Sequence, residues 1–176
     1  MSRAPVAYLL CGPSLAGKST VAARLVEAFD AVAISADAIN ERRGLPFGGE
    51  GLPEHVWAET LRVQLQELHE LTGGGKSVVV DDTLCYRWIR DRFREEARAA
   101  GLSHKLLLLA PSREDLLARH ALLESERRRP TLSLDRLVEH LNSFEWPAAD
   151  EGAIDITTLE RQDEFIRTEV ASGGRS

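Results

Sequence analysis

Cysteine, methionine and aromatic residues are scarce in this chain: two cysteines, one methionine, and only 6% Phe, Trp and Tyr together. Cys11 and Cys85 stand apart, with no CxxC pair and no histidine at ligand spacing. That excludes a zinc ribbon and a disulfide-stapled fold and leaves two ordinary reduced thiols. Few aromatics, with no basic residues interleaved among them, exclude a stacking platform for nucleic-acid bases. Trp57, Trp88 and Trp146 read instead as core or packing anchors. Basic charge is also in deficit: 22 Lys and Arg against 28 Asp and Glu give a net charge of −6 and a pI near 5.4. A broad surface for a polyanion is therefore not expected, although a local basic cluster still permits binding of a short phosphorylated end. No stretch approaches the ~18 uninterrupted apolar residues of a membrane span. Met1 to Pro5 carry no apolar run of signal-peptide length, and a soluble, cytoplasmic protein is expected.

What is present suits a globular enzyme. With 176 residues, 43% of them hydrophobic, the chain is long enough for one α/β domain with a full core, spanning 1–176. There is no internal repeat. Two glycine-rich breaks stand out, Gly44 to Pro53 and Gly73-Gly74-Gly75, the second ending a helix. Short apolar runs at Val6 to Leu10, Ala31 to Ile34, Ser77 to Val80 and Lys105 to Leu109 read as strands buried on both faces, with a weaker fifth at Ala153 to Ile156. Helical patterns lie between them. Val21, Ala22, Leu25, Val26 and Phe29 form one stripe; Trp57, Leu61, Leu65 and Leu68 a second; Ile89, Phe93, Ala97 and Ala100 a third. Further helices are predicted over Ser112 to Arg127, Ser133 to Phe144 and Thr158 to Val170. Ser112 to Asp115 and Thr157 to Glu160 resemble capping boxes. Strands alternating with helices predict a parallel sheet covered on both faces, with ligands at the carboxyl ends of its strands.

One segment carries a specific chemistry. Gly12-Pro13-Ser14-Leu15-Ala16-Gly17-Lys18-Ser19-Thr20 follows the first apolar run and opens the first amphipathic helix. The pattern G-x-x-x-x-G-K-[ST] needs glycines where successive backbone N–H groups turn inward around phosphate oxygens. Lys18 supplies a compact positive charge for the β and γ phosphates, Ser19 offers a hydroxyl to Mg²⁺, and the helix directs its positive dipole end at the anion. No Asn-Lys-x-Asp guanine-reading motif is present, so ATP is the expected nucleotide.

Acidic residues are placed around this loop. Asp37 follows the second strand and overhangs the same sheet edge. It serves either as the base that accepts a proton from an attacking hydroxyl or as the N-cap of a short helix from Ala38 to Arg42. Val78-Val79-Val80-Asp81-Asp82-Thr83 is an apolar strand ending in paired acids, with Asp81 the first choice for reaching Mg²⁺ through its water shell. Arg127-Arg128-Arg129-Pro130 ends a helix that also carries Arg119. These guanidiniums either complement the helix dipole or form a lid that closes over the γ-phosphate. The five histidines lack ligand spacing, and His120, among Leu116 and Leu123, reads as a satisfied core residue.

Together, Gly12 to Thr20, Ser35-x-Asp37, Val78 to Thr83, the arginine helix, Phe144-Glu145-x-Pro147 and Glu151-Gly152 resemble the small P-loop kinases of the adenylate-kinase-like branch. That branch includes the kinase domain of polynucleotide kinase, zeta-type toxins and chloramphenicol phosphotransferase. The resemblance spans Val6 to about Thr158. It implies a five-stranded parallel sheet ordered 2-3-1-4-5, helices on both faces, and a helical lid at about 119–131. It also implies that Asp37 is the base. Polynucleotide-kinase-type sequences place an arginine three residues after that acid, where it holds an acceptor phosphate. Here the residue is Asn40, with Arg42 and Arg43 slightly later, which tilts the resemblance toward a small-molecule acceptor.

The expected activity is transfer of the γ-phosphoryl group from ATP, with Mg²⁺, to a hydroxyl of a small molecule. Lys18, Asp37, Arg127 and Arg128 would be catalytic, residues 12–20 and Arg119 would bind nucleotide, and Ser19 and Asp81 would serve the metal. The acceptor pocket is expected between Asp37, the Gly44 to Pro53 loop, the following helix, and Tyr86 or Trp88. Two other readings stand beside it: a 5′-hydroxyl polynucleotide kinase, and an ATP-binding regulator or toxin-like protein with slow ATPase activity. No membrane and no obligate protein partner are expected.

Overall fold

The computed structural model describes residues 4–46, 51–72, 74–126 and 131–173. Five strands form one sheet: β1 (Val6–Cys11), β2 (Val32–Ser35), β3 (Val78–Asp81), β4 (Ser103–Leu108) and β5 (Ile154–Asp155), in the order β2-β3-β1-β4-β5. All four pairings are parallel. Both features agree with the sequence expectation, and each predicted strand is recovered within two residues at either end. The helices are α1 (Lys18–Phe29), α2 (Ala36–Arg42), α3 (Glu54–Thr72), α4 (Arg87–Ala99), α5 (Arg113–Glu126), α6 (Leu134–Ser143) and α7 (Leu159–Gly173). Among the described residues no helix is long and apolar enough to cross a membrane.

Alternation along β1 divides the core in two. Val6, Tyr8 and Leu10 face one side, where they pack with Val21, Leu25, Leu116, Ile156 and Phe165 from α1, α5, the end of β5 and α7. Ala7, Leu9 and Cys11 face the other, against Leu68, Phe93, Ala97 and Phe144 from α3, α4 and the end of α6. A central strand covered by helices on both faces must be apolar at every position, and β1 is fully buried throughout. The expectation of two-sided burial fails at the edges: β2 and β5 keep exposed residues because each has a neighbour on one side only. The tryptophans are also not core anchors. Trp57, Trp88 and Trp146 are 38%, 57% and 47% exposed.

Caps explain where the helices start. Ser112 Oγ accepts the Asp115 N–H at 3.1 Å, as the predicted box requires. At α7 the cap lies one residue later than expected. Thr158 Oγ1 accepts from Arg161, while Thr157 Oγ1 accepts the Ala110 N–H at 2.8 Å and so ties the exits of β4 and β5 together.

A buried charge network fixes the back of the sheet edge. Arg90, on α4, is fully buried. Its Nε and Nη2 donate to the Glu151 carboxylate at 2.7 and 2.8 Å, and its Nη1 donates to the carbonyls of Leu84 and Glu145 at 2.9 and 2.8 Å. Arg94 adds a third guanidinium bond to Glu151 at 3.0 Å. Glu145 Oε2 accepts the Arg87 N–H at 2.9 Å, which caps α4. The Phe144-Glu145-x-Pro147 and Glu151-Gly152 residues therefore serve to hold α4 and the β3 exit in place. Bonding to Arg90 holds the Glu151 carboxyl down, from its ordinary 4.5 to about 2. A folded-state pKa below the unfolded value means that this contribution is complete above the unfolded pKa and disappears as pH falls through the folded one. Arg90→Met should strand Glu151 without its main partner and cost about 3–5 kcal/mol in urea denaturation at pH 7. The cost should shrink as pH is lowered from 4.5 toward 2.

Candidate active site

The strand order brings the exits of β1, β2 and β3 side by side at one edge, and the sequence from Gly12 to Thr20 turns there from β1 into α1. Gly12 sits against the neighbouring strand: a Cβ built on it would lie 2.5 Å from the Leu109 carbonyl oxygen. Its N–H donates to Thr83 O at 3.1 Å. Leu15 at φ +68° and Gly17 at φ +97° take the left-handed conformation on either side of Ala16. Alternation of that kind turns successive amides toward one point and makes an anion nest. Gly17 suits such a position, whereas Leu15 holds it at a backbone cost of about 1–3 kcal/mol. Gly17 is also the N-cap residue of α1 and provides no side-chain cap, so the first amides of the helix remain free for an external anion.

Lys18 is the buried charge of the site. Its Nζ donates to the carbonyl of Pro13, within its own loop, at 2.8 Å. Burial pushes its ammonium below the ordinary lysine range, and Asp81, Asp82 and Asp37 act in the opposite direction. The three carboxylates thus share one field with Lys18. Burial raises the Asp37 carboxyl above its ordinary value, Asp81 adds to the rise, and Lys18 opposes it. Burial likewise raises Asp82, whose Oδ1 accepts the Thr83 N–H at 2.5 Å. Asp81, the last residue of β3, pairs in register with Ser35 of β2. Ser19 is the second residue of α1 and is exposed at the mouth of the loop.

Asp37 lies in the first turn of α2, open to solvent over part of its surface while its carboxyl stays in the partly desolvated field of Asp81 and Lys18, and it does not cap that helix. The cap is Ser35, whose Oγ accepts the Ala38 N–H at 3.3 Å. With the capping alternative gone, the carboxylate of Asp37 is left to the site. Of the guanidiniums, Arg119 on α5 reaches the loop, its Nη1 donating to Leu15 O at 2.9 Å. Arg127 and Arg128 lie outside the described residues, as do Arg129 and Pro130, and so does the stretch 47–50 of the predicted acceptor loop. His120 is buried, its Nε2 bonded to Leu132 O at 2.8 Å, as expected of a core histidine.

Two features of this edge are not apparent in sequence. Leu84, fully buried at φ +46°, turns the chain sharply after Thr83 and presents its carbonyl to Arg90. His140, on α6, reaches the phosphate loop and accepts the Ser14 N–H on Nε2 at 3.3 Å. Neither stands in a residue pattern that announces it.

A nest of amides, a helix N-terminus and a buried ammonium that, among the described residues, bonds a carbonyl of its own loop fit a polyphosphate, and Ser19 with Asp81 offers the oxygen ligands that Mg²⁺ prefers. The sequence profile of the family described as AAA domain fits residues 8–147. Kti12 from Chaetomium thermophilum, in complex with ADP-AlF3, superposes with a TM-score of 0.73 at 14% identity, covering 96% of this chain and 99% of that one. The APS kinase CysC of Mycobacterium tuberculosis, in complex with AMPPNP and APS, gives 0.65 at 20% identity, with both chains fully covered. A gluconokinase from Sinorhizobium meliloti 1021 gives 0.61 at 23% identity, covering 98% and 94%. The fold is that of the small P-loop kinases. None of the curated proteins compared with the chain matches it.

A buried amine held, among the described residues, by one loop carbonyl contributes little to the stability of the protein alone. Lys18→Met should leave the melting temperature unchanged or higher without nucleotide. It should also abolish the rise in melting temperature expected of the wild type with Mg²⁺ and ATP, as read by calorimetry.

Proposed function

The chain belongs to the AAA domain family, and we propose that within it the protein is an ATP- and Mg²⁺-dependent phosphotransferase acting on a hydroxyl of a small-molecule acceptor. The observation that carries this reading is that Lys18, Asp37, Asp81 and Asp82 share one electrostatic field beside the phosphate loop. ATP supplies the transferable γ-phosphoryl group, and Mg²⁺ neutralises charge on the phosphate chain. The loop amides and Lys18 bind and orient the phosphates, and Ser19 and Asp81 would hold the metal. Asp37 accepts the proton of the attacking hydroxyl, for which its raised pKa suits it. Arg119 steadies the loop, and Arg127 and Arg128 belong to a lid at about 119–131 that stabilises charge on the transferring group. The chain is read as a single domain that needs no protein partner.

The reading of the acceptor is supported by which cations are already engaged. Asn40 stands three residues after Asp37, and its Oδ1 accepts the Thr60 hydroxyl at 2.6 Å. Arg43 donates to Thr60 and to Val56 O at 3.2 Å, and Arg42 is paired with Glu67. Neither guanidinium is left to meet an acceptor phosphate, while Asp37 and Asp82 would repel an anion. Gluconokinase and APS kinase share this fold and are named for small acceptors, which supports a small acceptor over an oligonucleotide.

Asp37→Asn should lower kcat by about 10²–10⁴-fold while leaving the dissociation constant for ATP within a few-fold of wild type. The acid limb of the wild-type kcat profile should fall above the ordinary carboxylate value of 3.8, because ionised Asp37 is the active form. A labelled oligonucleotide with a free 5′-OH should not be phosphorylated. Transfer to it, or full turnover of Asp37→Asn on the physiological acceptor, would contradict the reading.

A further inference from the structure

We propose that His140 is a positioning residue of the phosphate loop: its Nε2 takes up the Ser14 N–H, fixes the first half of the loop, and leaves the amides beyond Leu15 to receive phosphate. The contact joins residues 126 positions apart and is the described side-chain bond to a loop amide. The acceptor is held rigidly. Leu137, one turn earlier on α6, is fully buried, and Phe144, one turn later, meets the imidazole edge-on with ring centres 5.6 Å apart and planes at 84°. Phe144 in turn packs into the core beside β1 and β3. Just beyond it, the Glu145 N–H donates to Cys85 O at 2.9 Å. The segment from His140 to Glu145 therefore spans from the phosphate loop to the exit of β3 and holds the two sides of the site in register.

Only a neutral imidazole with an unprotonated Nε2 accepts from an amide. Burial, with the Lys18 charge nearby, lowers the His140 pKa from 6.5 to about 4, so the ring is neutral at physiological pH and its proton sits on Nδ1. Ser14 does not have a positive φ, unlike Leu15 and Gly17 after it. The bonded amide therefore precedes the nest and is separate from it. A loop that lost this anchor would still have its glycines and its lysine, but would sample more conformations before phosphate is bound. The cost should appear in nucleotide affinity.

The inference rests on the ATP reading and is tested by titrating the intact protein with the non-hydrolysable analogue AMPPNP and Mg²⁺. His140→Leu should weaken binding about three- to tenfold, the range expected for one hydrogen bond to a partly buried amide. His140→Gln, whose side-chain oxygen also accepts, should restore affinity to within about twofold of wild type, a rescue that a purely space-filling role would not produce. In a Ser14→Pro background, which has no amide proton to donate, His140→Leu should add less than about twofold, because the two changes act on one bond. Unaltered binding by His140→Leu, or a Gln variant no better than Leu, would overturn the proposal. A full His140→Leu penalty on top of Ser14→Pro would also overturn it. If Ser14→Pro does not fold, the Gln and Leu comparison decides alone. Wild-type protein that fails to bind the analogue would defeat the ATP reading itself, whereas wild-type binding with an indifferent His140→Leu defeats this proposal only.

Discussion

Gly12 stands where the three central strands leave the sheet, and the site depends on there being no side chain at that point. Its Cα is close enough to the Leu109 carbonyl that a methyl group would overlap it, its N–H is bonded to Thr83 beyond β3, and the preceding carbonyl of Cys11 accepts from Leu109 at 2.8 Å. Close backbone approach of this kind is what glycine alone permits. It fixes the start of the phosphate loop to both neighbours of β1, so the loop inherits the rigidity of the sheet. The carboxylates of β3 then sit beside Lys18 because one backbone bond sets the spacing between the two exits.

Two kinds of order meet at this edge. Behind the site, charges are neutralised and saturated: Arg90 and Arg94 close on Glu151, and Glu145 caps α4. In front, Lys18 bonds a loop carbonyl, Asp37 and Asp82 are raised by burial, and Leu15 and Leu84 hold left-handed backbone. Strain and imperfectly compensated charge persist only where the surroundings enforce them, and they are typical of sites that wait for a ligand. The saturated network supplies that enforcement. Tertiary bonds from α6, at Ser14 and at Cys85, connect the two regions.

The fold was legible because its signals are local. Apolar runs separated by amphipathic helices specify a parallel sheet, and the G-x-x-x-x-G-K-S run locates the phosphate edge within it. Asp37 and Asp81 could be placed from their positions just after strands. What was not legible depends on contacts distant in sequence. His140 looked like one of five scattered histidines because its partner lies 126 residues away. Arg90 and Glu151 pair across 61 residues with no pattern linking them. The tryptophans were read as core or packing anchors because aromatics are few and not interleaved with basic residues, but tertiary packing left them substantially exposed. Ser35 took the capping role that Asp37 also suited, since the helix begins two residues earlier than its sequence suggested. Thr60 and Arg43 acquire their roles through Asn40, which only the α2 and α3 packing brings together.

The central claim is that the loop from Gly12 to Thr20 is a preformed phosphate cradle whose lysine is held in reserve by Pro13. A crystal structure with AMPPNP and Mg²⁺ tests it most directly. The account predicts the phosphate chain within the nest, Lys18 Nζ transferred from Pro13 O to the β and γ phosphate oxygens, and the Asp37 carboxylate facing the terminal phosphate across an open acceptor space. A nucleotide bound elsewhere, or Lys18 still on Pro13 O with the analogue in place, would contradict it.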